Sequence, residues 1–178
     1  MKKIIIILIS IVSIIYLQDI YNKQENTIPK EAIRFRVVAN SNTIYDQNIK
    51  LRLKNVIQNE ILDLTKDAKT IEATRKILKN NVNNLDKLVK KTLKDFNYDK
   101  DYTIKYGLNH FPKKIFKGVK YSEGDYESLV ITLGDGQGDN WWCVLFPPFC
   151  LSEVEDTNNS DIEYSFFIED IIKKYIKK

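Results

Sequence analysis

The order of hydrophobic periods along the chain restricts its fold more than any other feature. The segment IRFRVV alternates, with apolar side chains on one face and Arg34 and Arg36 on the other, which predicts a strand with one buried side. Apolar residues then recur every three or four positions to about Thr65, and again from Thr70 onwards, which predicts helices. Four further strands are predicted at 102–110, 126–133, 141–146 and 162–167. One strand, then helices, then a run of strands indicates an α+β fold, a largely antiparallel sheet of about five strands with two or three helices on one face.

The helical region leaves one alternative open. Thr43 and Asp46 resemble a capping box and predict that the first helix begins there, with Lys50 on its surface. The asparagine-rich segment 80–84 either divides the second helical region or lies inside one long helix. The last residues, IEDIIKKYIKK, predict a short basic helix.

The N-terminus predicts export. Lys2 and Lys3 precede the apolar segment 4–17, whose length of about 21 Å as a helix suits a secretory signal better than a full membrane span. No small residues follow at a cleavage site, so residues 1–21 are expected either to be removed as a signal peptide or to anchor the chain through 4–21. Residues 22–31 are interpreted as a linker, and 32–178 as one domain.

Composition and charge argue against nucleic-acid binding. The chain has 178 residues and a formal net charge of +4, with lysines and acidic residues interleaved. Such a pattern is typical of solvated surfaces and not of a stripe that follows phosphates. The length suits one domain with a real core.

The densest segment of the sequence is GDGQGDNWWCVLFPPFC, from Gly134 to Cys150. Its glycines do not predict a phosphate loop, because such loops lead into a helix whereas a strand is predicted to follow. Asp135 and Asp139 would also repel phosphate. We therefore predict a wide hairpin turn between two strands.

The two cysteines favour a staple over a reactive centre. Cys143 lies in an apolar strand, where a thiolate is poorly solvated, and the chain has one histidine, His110. One histidine and two cysteines seven positions apart lack the spacing of a zinc site. A disulfide between Cys143 and Cys150, with Pro147 and Pro148 turning the backbone, is predicted, and two buried thiols are the main alternative.

The adjacent tryptophans pose a further question. Trp141 and Trp142 must point to opposite faces of one strand, so only one can pack beneath the helices. The other is either covered by the irregular segment 111–125 or exposed as an anchor for a partner.

Two blocks of the sequence resemble the stage II sporulation protein R family. The first is the arginine-containing strand that leads into Val-Val-Ala-Asn-Ser and then a helix start at Asp46-Gln47. The second is the glycine-rich turn followed by Asn-Trp-Trp-Cys-Val-Leu-Phe-Pro-Pro-Phe-Cys. The family-motif positions in the first block are Arg34, Arg36, Asn40, Ser41, Asp46 and Gln47.

The resemblance implies a function that is not enzymatic. It implies an exported signalling protein, made in the forespore, that acts in the space between the two membranes on a membrane-embedded mother-cell protease that processes pro-sigma-E. The residues agree with a function that is not enzymatic, because they contain no evident catalytic set and no spacing that predicts a metal or cofactor site. The residues expected to contact the protease or to support that contact are Asn140, Trp141, Trp142, Pro147 and Pro148. The alternatives are a cell-wall-facing hydrolase that uses His110 or Cys143, and a carbohydrate- or peptide-binding module that uses an exposed tryptophan.

Overall fold

The computed structural model describes residues 30–116 and 119–151, together with residues 13, 170, 171, 174 and 175. The helices in this part of the chain are α1 (Ile44–Thr65) and α2 (Ile71–Asp95). The strands, in chain order, are β1 (Ile33–Val38), β2 (Tyr102–Phe111), β3 (Lys114–Phe116), β4 (Val119–Tyr121), β5 (Gly124–Leu133) and β6 (Asn140–Phe146). A short 3-10 helix spans Phe149–Leu151. The described region is therefore α+β, as the order of periods predicts.

Both helices begin where their caps predict. The side chain of Thr43 accepts a hydrogen bond from the amide of Asp46, and that of Thr70 accepts one from Ala73. Helix α2 continues unbroken through residues 80–84, which decides the open alternative in favour of one long helix. Within that segment the Asn81 side chain donates to the carbonyl of Ile77, so it bonds to its own helix instead of ending it.

The main sheet has the order β2, β5, β1, β6. Strand β1 is central and parallel to β5, with Phe35 opposite Leu129. On its other side β1 is antiparallel to β6, with Phe35 opposite Cys143. Strand β2 is antiparallel to β5. The prediction of a largely antiparallel sheet is therefore wrong for the central pair, because a period of two shows which side of a strand is buried and not the direction of its neighbour.

The two helices pack on one face of this sheet, as predicted. The sheet contributes buried side chains from β1, β5 and β6, namely Ile33, Phe35, Val37, Leu129, Ile131, Leu133, Cys143 and Leu145. The helices contribute Ile49, Leu53, Ile57, Ile61, Leu78, Leu85, Val89 and Leu93. This core between the sheet and the helices holds the ends of the strands and helices in fixed positions.

The opposite face of the sheet is covered in part, and this cover buries an arginine that the sequence pattern places on an exposed side. Arg34 has no exposed surface, and Arg36 is half-buried. The expectation that β1 has one buried side is wrong, because Tyr121 of the β3–β4 pair and the rings of Phe111, Tyr126 and Trp142 lie around Arg34. We call this side of the sheet the arginine face.

Several predicted elements lie outside the described residues. They are the N-terminal apolar segment apart from Ser13, the linker up to residue 29, and the fifth strand at 162–167. Of the C-terminal basic helix, residues 170, 171, 174 and 175 are described and helical. No helix among the described residues is long and apolar enough to span a membrane. The division of the chain into 1–21, 22–31 and 32–178 stays a prediction.

Candidate partner-binding surface

The connection from β5 to β6 crosses the end of β1. Because β5 and β6 pair with opposite sides of β1, residues 134–139 do not close a hairpin, and the prediction of a hairpin turn is wrong. The segment lies on the chain just after β1: the amide of Gln137 donates to the carbonyl of Asn40 over 3.0 Å, and that of Gly138 donates to Ala39 over 2.9 Å. We call residues 134–139 the crossing turn.

The glycines of the crossing turn allow this close approach. Gly134 has a φ of +51°, and a Cβ there would overlap the side chain of Asn40. A Cβ on Gly138 would overlap the backbone carbonyl of Ser41. Only glycine fits at these two positions, because the turn lies directly on another backbone segment.

The backbone amides of the crossing turn are all in use. Each of the six, from Gly134 to Asp139, donates to an oxygen of the protein; the acceptors are the carbonyls of Asp101, Leu133, Ala39 and Asn40 and the side-chain oxygens of Asn40 and Asn42. An anion would need those donors free. The turn therefore binds its own chain, which agrees with the exclusion of a phosphate loop.

Asp46 is the centre of the network behind the turn. Its carboxylate is buried and accepts hydrogen bonds from Asn40 Nδ2, over 2.8 Å, and from Ser41 Oγ. Lys100 Nζ lies 3.7 Å from the same oxygen. Burial by itself would raise the pKa of Asp46, but the hydrogen bonds from Asn40 and Ser41 and the charge of Lys100 outweigh it and hold the pKa below its usual range. Asp46 is therefore ionised at neutral pH.

Gln47 and Lys50 extend this network toward β6. Gln47 Nε2 donates to the carbonyl of Ser41 over 2.9 Å, and Lys50 Nζ donates to Gln47 Oε1 and to the carbonyl of Asp139 over 3.1 Å. Lys50 is buried, so the expectation that it lies on the helix surface is wrong. Burial lowers the pKa of Lys50, and the charge of Asp139 partly opposes that shift. The family-motif residues from Asn40 to Gln47 thus bond to one another and to the crossing turn.

Apolar side chains are exposed next to this network. Five large apolar side chains are exposed among the described residues, and three of them lie at the start of α1: Ile44 (83% exposed), Tyr45 (50%) and Leu51 (43%). We call these three residues the α1 outer face. The sequence contains a signal for this face: at about 100° per residue, Ile44 and Leu51 fall on the side of the helix opposite the apolar stripe formed by Ile49 and its neighbours.

Carboxylates lie beside the α1 outer face. Tyr45 stacks on Tyr98, with ring centroids 6.5 Å apart, and its hydroxyl donates to the carbonyl of Asn97. The residues that follow, Asp99 and Asp101, are exposed, and so is Asp135 of the crossing turn. Burial raises the pKa of Tyr98 to about 12, with the charges of Asp46, Asp99 and Asp135 adding to the shift. Asp99 and Asp135 therefore lie close enough to Tyr98 for their charges to act on its hydroxyl.

The structure packs both tryptophans. Trp141 lies on the helix side and meets Phe35 edge to face, with ring centroids 5.7 Å apart. Trp142 lies on the arginine face, where the ring of Tyr121 is 4.7 Å away and that of Phe111 is 5.8 Å away. Both are half-buried, so neither is the free anchor that one alternative required. Segment 111–125 supplies the cover, which was the other alternative.

Arg34 lies among these same rings. Its guanidinium carbon is 3.4 Å from the centroid of the Tyr126 ring and 5.3 Å from that of Trp142. None of its three side-chain nitrogens has a hydrogen-bond partner among the described residues. Burial lowers the pKa of Arg34 to about 10, so it remains charged at neutral pH. The aromatic faces are the interactions that offset its burial.

The corner after β6 is mostly buried. Cys143 and Cys150 form a disulfide with their Cα atoms 5.6 Å apart. The peptide bond before Pro147 is cis, Pro147 is buried and Pro148 is half-buried. Gln58 of α1 donates to the carbonyl of Cys150 over 2.8 Å, which ties the corner to the helix layer. Of the residues expected at the contact, Asn140 is exposed, Trp141, Trp142 and Pro148 are half-buried, and Pro147 is buried.

The residues considered for catalysis are not brought together. His110 is on β2 and Cys143 is on β6, and these two strands are three strand spacings, or about 14 Å, apart across the sheet. The sulfur of Cys143 is bonded to Cys150 and is not a thiolate. The His110 side chain is exposed and lies 3.3 Å from Asp125 and 3.7 Å from Glu123. Within the described ranges, no group of three or more metal-ligating side chains occurs.

Together, the fold and the site define a class of protein: an α+β domain whose motif residues build a rigid scaffold beneath an exposed surface. Comparison with known proteins then identifies the family. Residues 29–156 match the stage II sporulation protein R family, and the chain belongs to that family. It is 32% identical over 169 residues to stage II sporulation protein R of Bacillus subtilis (strain 168), a match that covers 88% of this chain and 75% of that relative. No solved structure matches the chain. The protein therefore has a role in sporulation.

Proposed function

We propose that this protein is an exported sporulation signal that binds the outward-facing part of a membrane-embedded mother-cell protease and so promotes the processing of pro-sigma-E. The observation that carries the proposal is the use made of the family-motif residues from Asn40 to Gln47. Asn40, Ser41 and Gln47 direct their polar groups to one another and to the crossing turn, and one carboxylate oxygen of Asp46 accepts hydrogen bonds from Asn40 and Ser41 while the other is buried. A site for chemistry would leave polar groups free to meet a substrate, whereas a recognition scaffold needs them to fix a surface.

Export is the second part of the proposal. The basic and apolar N-terminal segment supports delivery across the forespore membrane into the space between the two membranes. The cysteine pair agrees with that location, because disulfides persist outside the reducing cytoplasm.

Reconstitution in a non-sporulating bacterial host tests both parts. The host expresses pro-sigma-E and the protease, with either the full chain, the chain without residues 1–21, or no third protein. Processed sigma-E is measured by immunoblot. We expect processing with the full chain and little with the truncated chain, because the latter stays on the wrong side of the membrane. Equal processing without the chain would overturn activation, and equal processing with the truncated chain would overturn the need for export.

A further inference from the structure

The outer face of α1 has an exposed apolar surface that nothing in the fold requires. Ile44 and Leu51 lie opposite the buried stripe of α1 and Tyr45 lies at its flank, and all three side chains are exposed, that of Ile44 by 83%. Single exposed apolar residues are common on proteins, but three of the five among the described residues lie together here. Clustered exposure of this kind marks interaction sites.

This surface is also rigidly held. The amide of Asp46 bonds to the Thr43 side chain, and the Asp46 carboxylate bonds to Asn40 and Ser41, so the first turn of α1 is joined to β1 and to the crossing turn. Tyr45 is further held by its stacking on Tyr98. A surface fixed before binding loses little conformational entropy when a partner arrives.

The charges around the surface indicate what kind of partner fits. Asp99, Asp101 and Asp135 are exposed. Asp99 follows Tyr98, which stacks on Tyr45, and the amide of Gly134 donates to the Asp101 carbonyl, which brings this segment beside the crossing turn. Two cations lie nearby and both are engaged within the chain: the Lys100 ammonium group is 3.7 Å from the buried carboxylate of Asp46, and the Arg52 guanidinium carbon is 3.7 Å from the centroid of the Phe96 ring. The rim is therefore negative, and charge complementarity favours a positively charged partner.

We infer that the α1 outer face binds a segment of a partner protein that carries an apolar side chain flanked by lysine or arginine. The apolar side chain packs on Ile44 and Leu51, and the cations meet the rim carboxylates. This inference rests on the proposed function in that the partner is taken to be the protease. It places the contact away from the tryptophan corner, whose side chains are buried or half-buried apart from Asn140.

The first test removes the apolar surface in the reconstituted host, using the full chain. The double variant Ile44→Ser/Leu51→Ser is compared with Leu108→Ser/Ile115→Ser, which removes the other two exposed apolar side chains among the described residues. We expect processed sigma-E to fall about tenfold for the first and to stay unchanged for the second. A second variant, Ile44→Glu, guards against misfolding, because an acidic residue in the first helical turn favours the helix. If processing is unchanged in both Ile44→Glu and the double variant while the wild type is active, the inference that the α1 outer face binds the partner is wrong. The activator proposal would still stand.

The second test addresses the rim. Asp99→Asn/Asp135→Asn is compared with Asp63→Asn/Asp67→Asn, which removes two exposed carboxylates at the far end of α1. We expect a severalfold loss of processing for the rim variant alone. When binding is measured with purified protease in detergent, the rim variant should also bind more weakly than the wild type, and this difference should be smaller at high ionic strength. If the two variants lower processing equally, or if the rim variant increases processing, the partner segment is not positively charged.

The third test identifies the occupant directly. A photo-crosslinking residue replaces Ile44 or, as control, Leu108 in the full chain, in cells that contain the protease. A crosslink to the protease from position 44 but not from position 108 supports the inference. If that crosslink forms but pro-sigma-E is not processed, the proposed activation is wrong while the inferred contact still stands. A crosslink to a second copy of this chain, to cell-wall material, or to nothing overturns the inference.

Discussion

The side chain of Asn40 joins the crossing turn to helix α1 through Asp46. Its Oδ1 accepts a hydrogen bond from the amide of Asp135 over 3.0 Å, and its Nδ2 donates to the Asp46 carboxylate over 2.8 Å. One side chain therefore satisfies a turn and a helix that are 95 positions and 6 positions away in sequence. Removing it leaves a buried carboxylate and a backbone amide without that partner. We expect Asn40→Ala to lower the free energy of unfolding by about 2 to 3 kcal/mol, measured by urea denaturation. A loss below about 0.5 kcal/mol would contradict a network in which the bonds matter.

The close contact of Gly138 with Ser41 predicts a second effect. A methyl group at position 138 would overlap the Ser41 carbonyl and the Ala39 side chain, so the turn must move away. We expect Gly138→Ala to cost about 1 to 3 kcal/mol, by urea denaturation. Gln137→Ala is the matched control, since the exposed side chain of Gln137 bonds only within the turn. Equal stability of the two variants would show that the turn does not lie on this segment.

The lowered pKa of Asp46 predicts how stability changes with pH. Because the folded-state pKa lies below the unfolded value of about 3.9, Asp46 contributes stability that is complete above the unfolded pKa and is lost as pH falls through the folded pKa. Asp46→Asn should therefore be less stable than the wild type by about 2 kcal/mol at pH 7, with the difference narrowing below about pH 4. Thermal or urea unfolding from pH 7 to pH 2.5 measures this. The exposed Asp63→Asn is the control, and a difference that stays constant across the whole range would contradict the shift.

The disulfide predicts a fourth measurable effect. Closing the short loop between Cys143 and Cys150 should stabilise the fold by about 2.5 kcal/mol, chiefly by restricting the unfolded chain. We expect Cys143→Ser/Cys150→Ser, and also the reduced wild type, to unfold at lower urea concentrations by that amount. Thiol counting on exported and denatured wild-type protein should find no free cysteine. Two free thiols would mean that the alternative of two buried thiols describes the protein in its own compartment.

Arg34 predicts a fifth effect, which depends on the competition between charge burial and aromatic contact. A guanidinium without hydrogen-bond acceptors costs several kcal/mol to bury, and contacts with aromatic faces return about 2 kcal/mol when desolvated. We therefore expect Arg34→Met to be as stable as the wild type or more stable. Arg34→Lys should be clearly less stable, because an ammonium group is hydrated more strongly and cannot stack on Tyr126. Urea denaturation of both variants decides it, and a large loss for Arg34→Met would show that the guanidinium has a stabilising partner.

The local elements were largely predictable from sequence. The caps at Thr43 and Thr70 and the alternation in IRFRVV determine where the helices and the first strand begin, since these depend on residues a few positions apart. The resemblance to the sporulation family rests on the motif positions, and the family match bears it out. The prediction that one tryptophan packs beneath the helices follows from the period of a strand, but the period does not say which one.

What surrounds each element was decided by tertiary structure alone. The sequence by itself determined that the strand from Ile33 to Val38 has an apolar side. Only the fold decided that this strand lies between β5 and β6, so that a turn expected to close a hairpin instead crosses its end and packs on Asn40. Only the fold decided that Arg34 is buried and that Lys50 is enclosed by the turn. The physical reason is that periodicity records the burial of a face, whereas strand order and the cover on the second face depend on contacts between residues far apart in the chain.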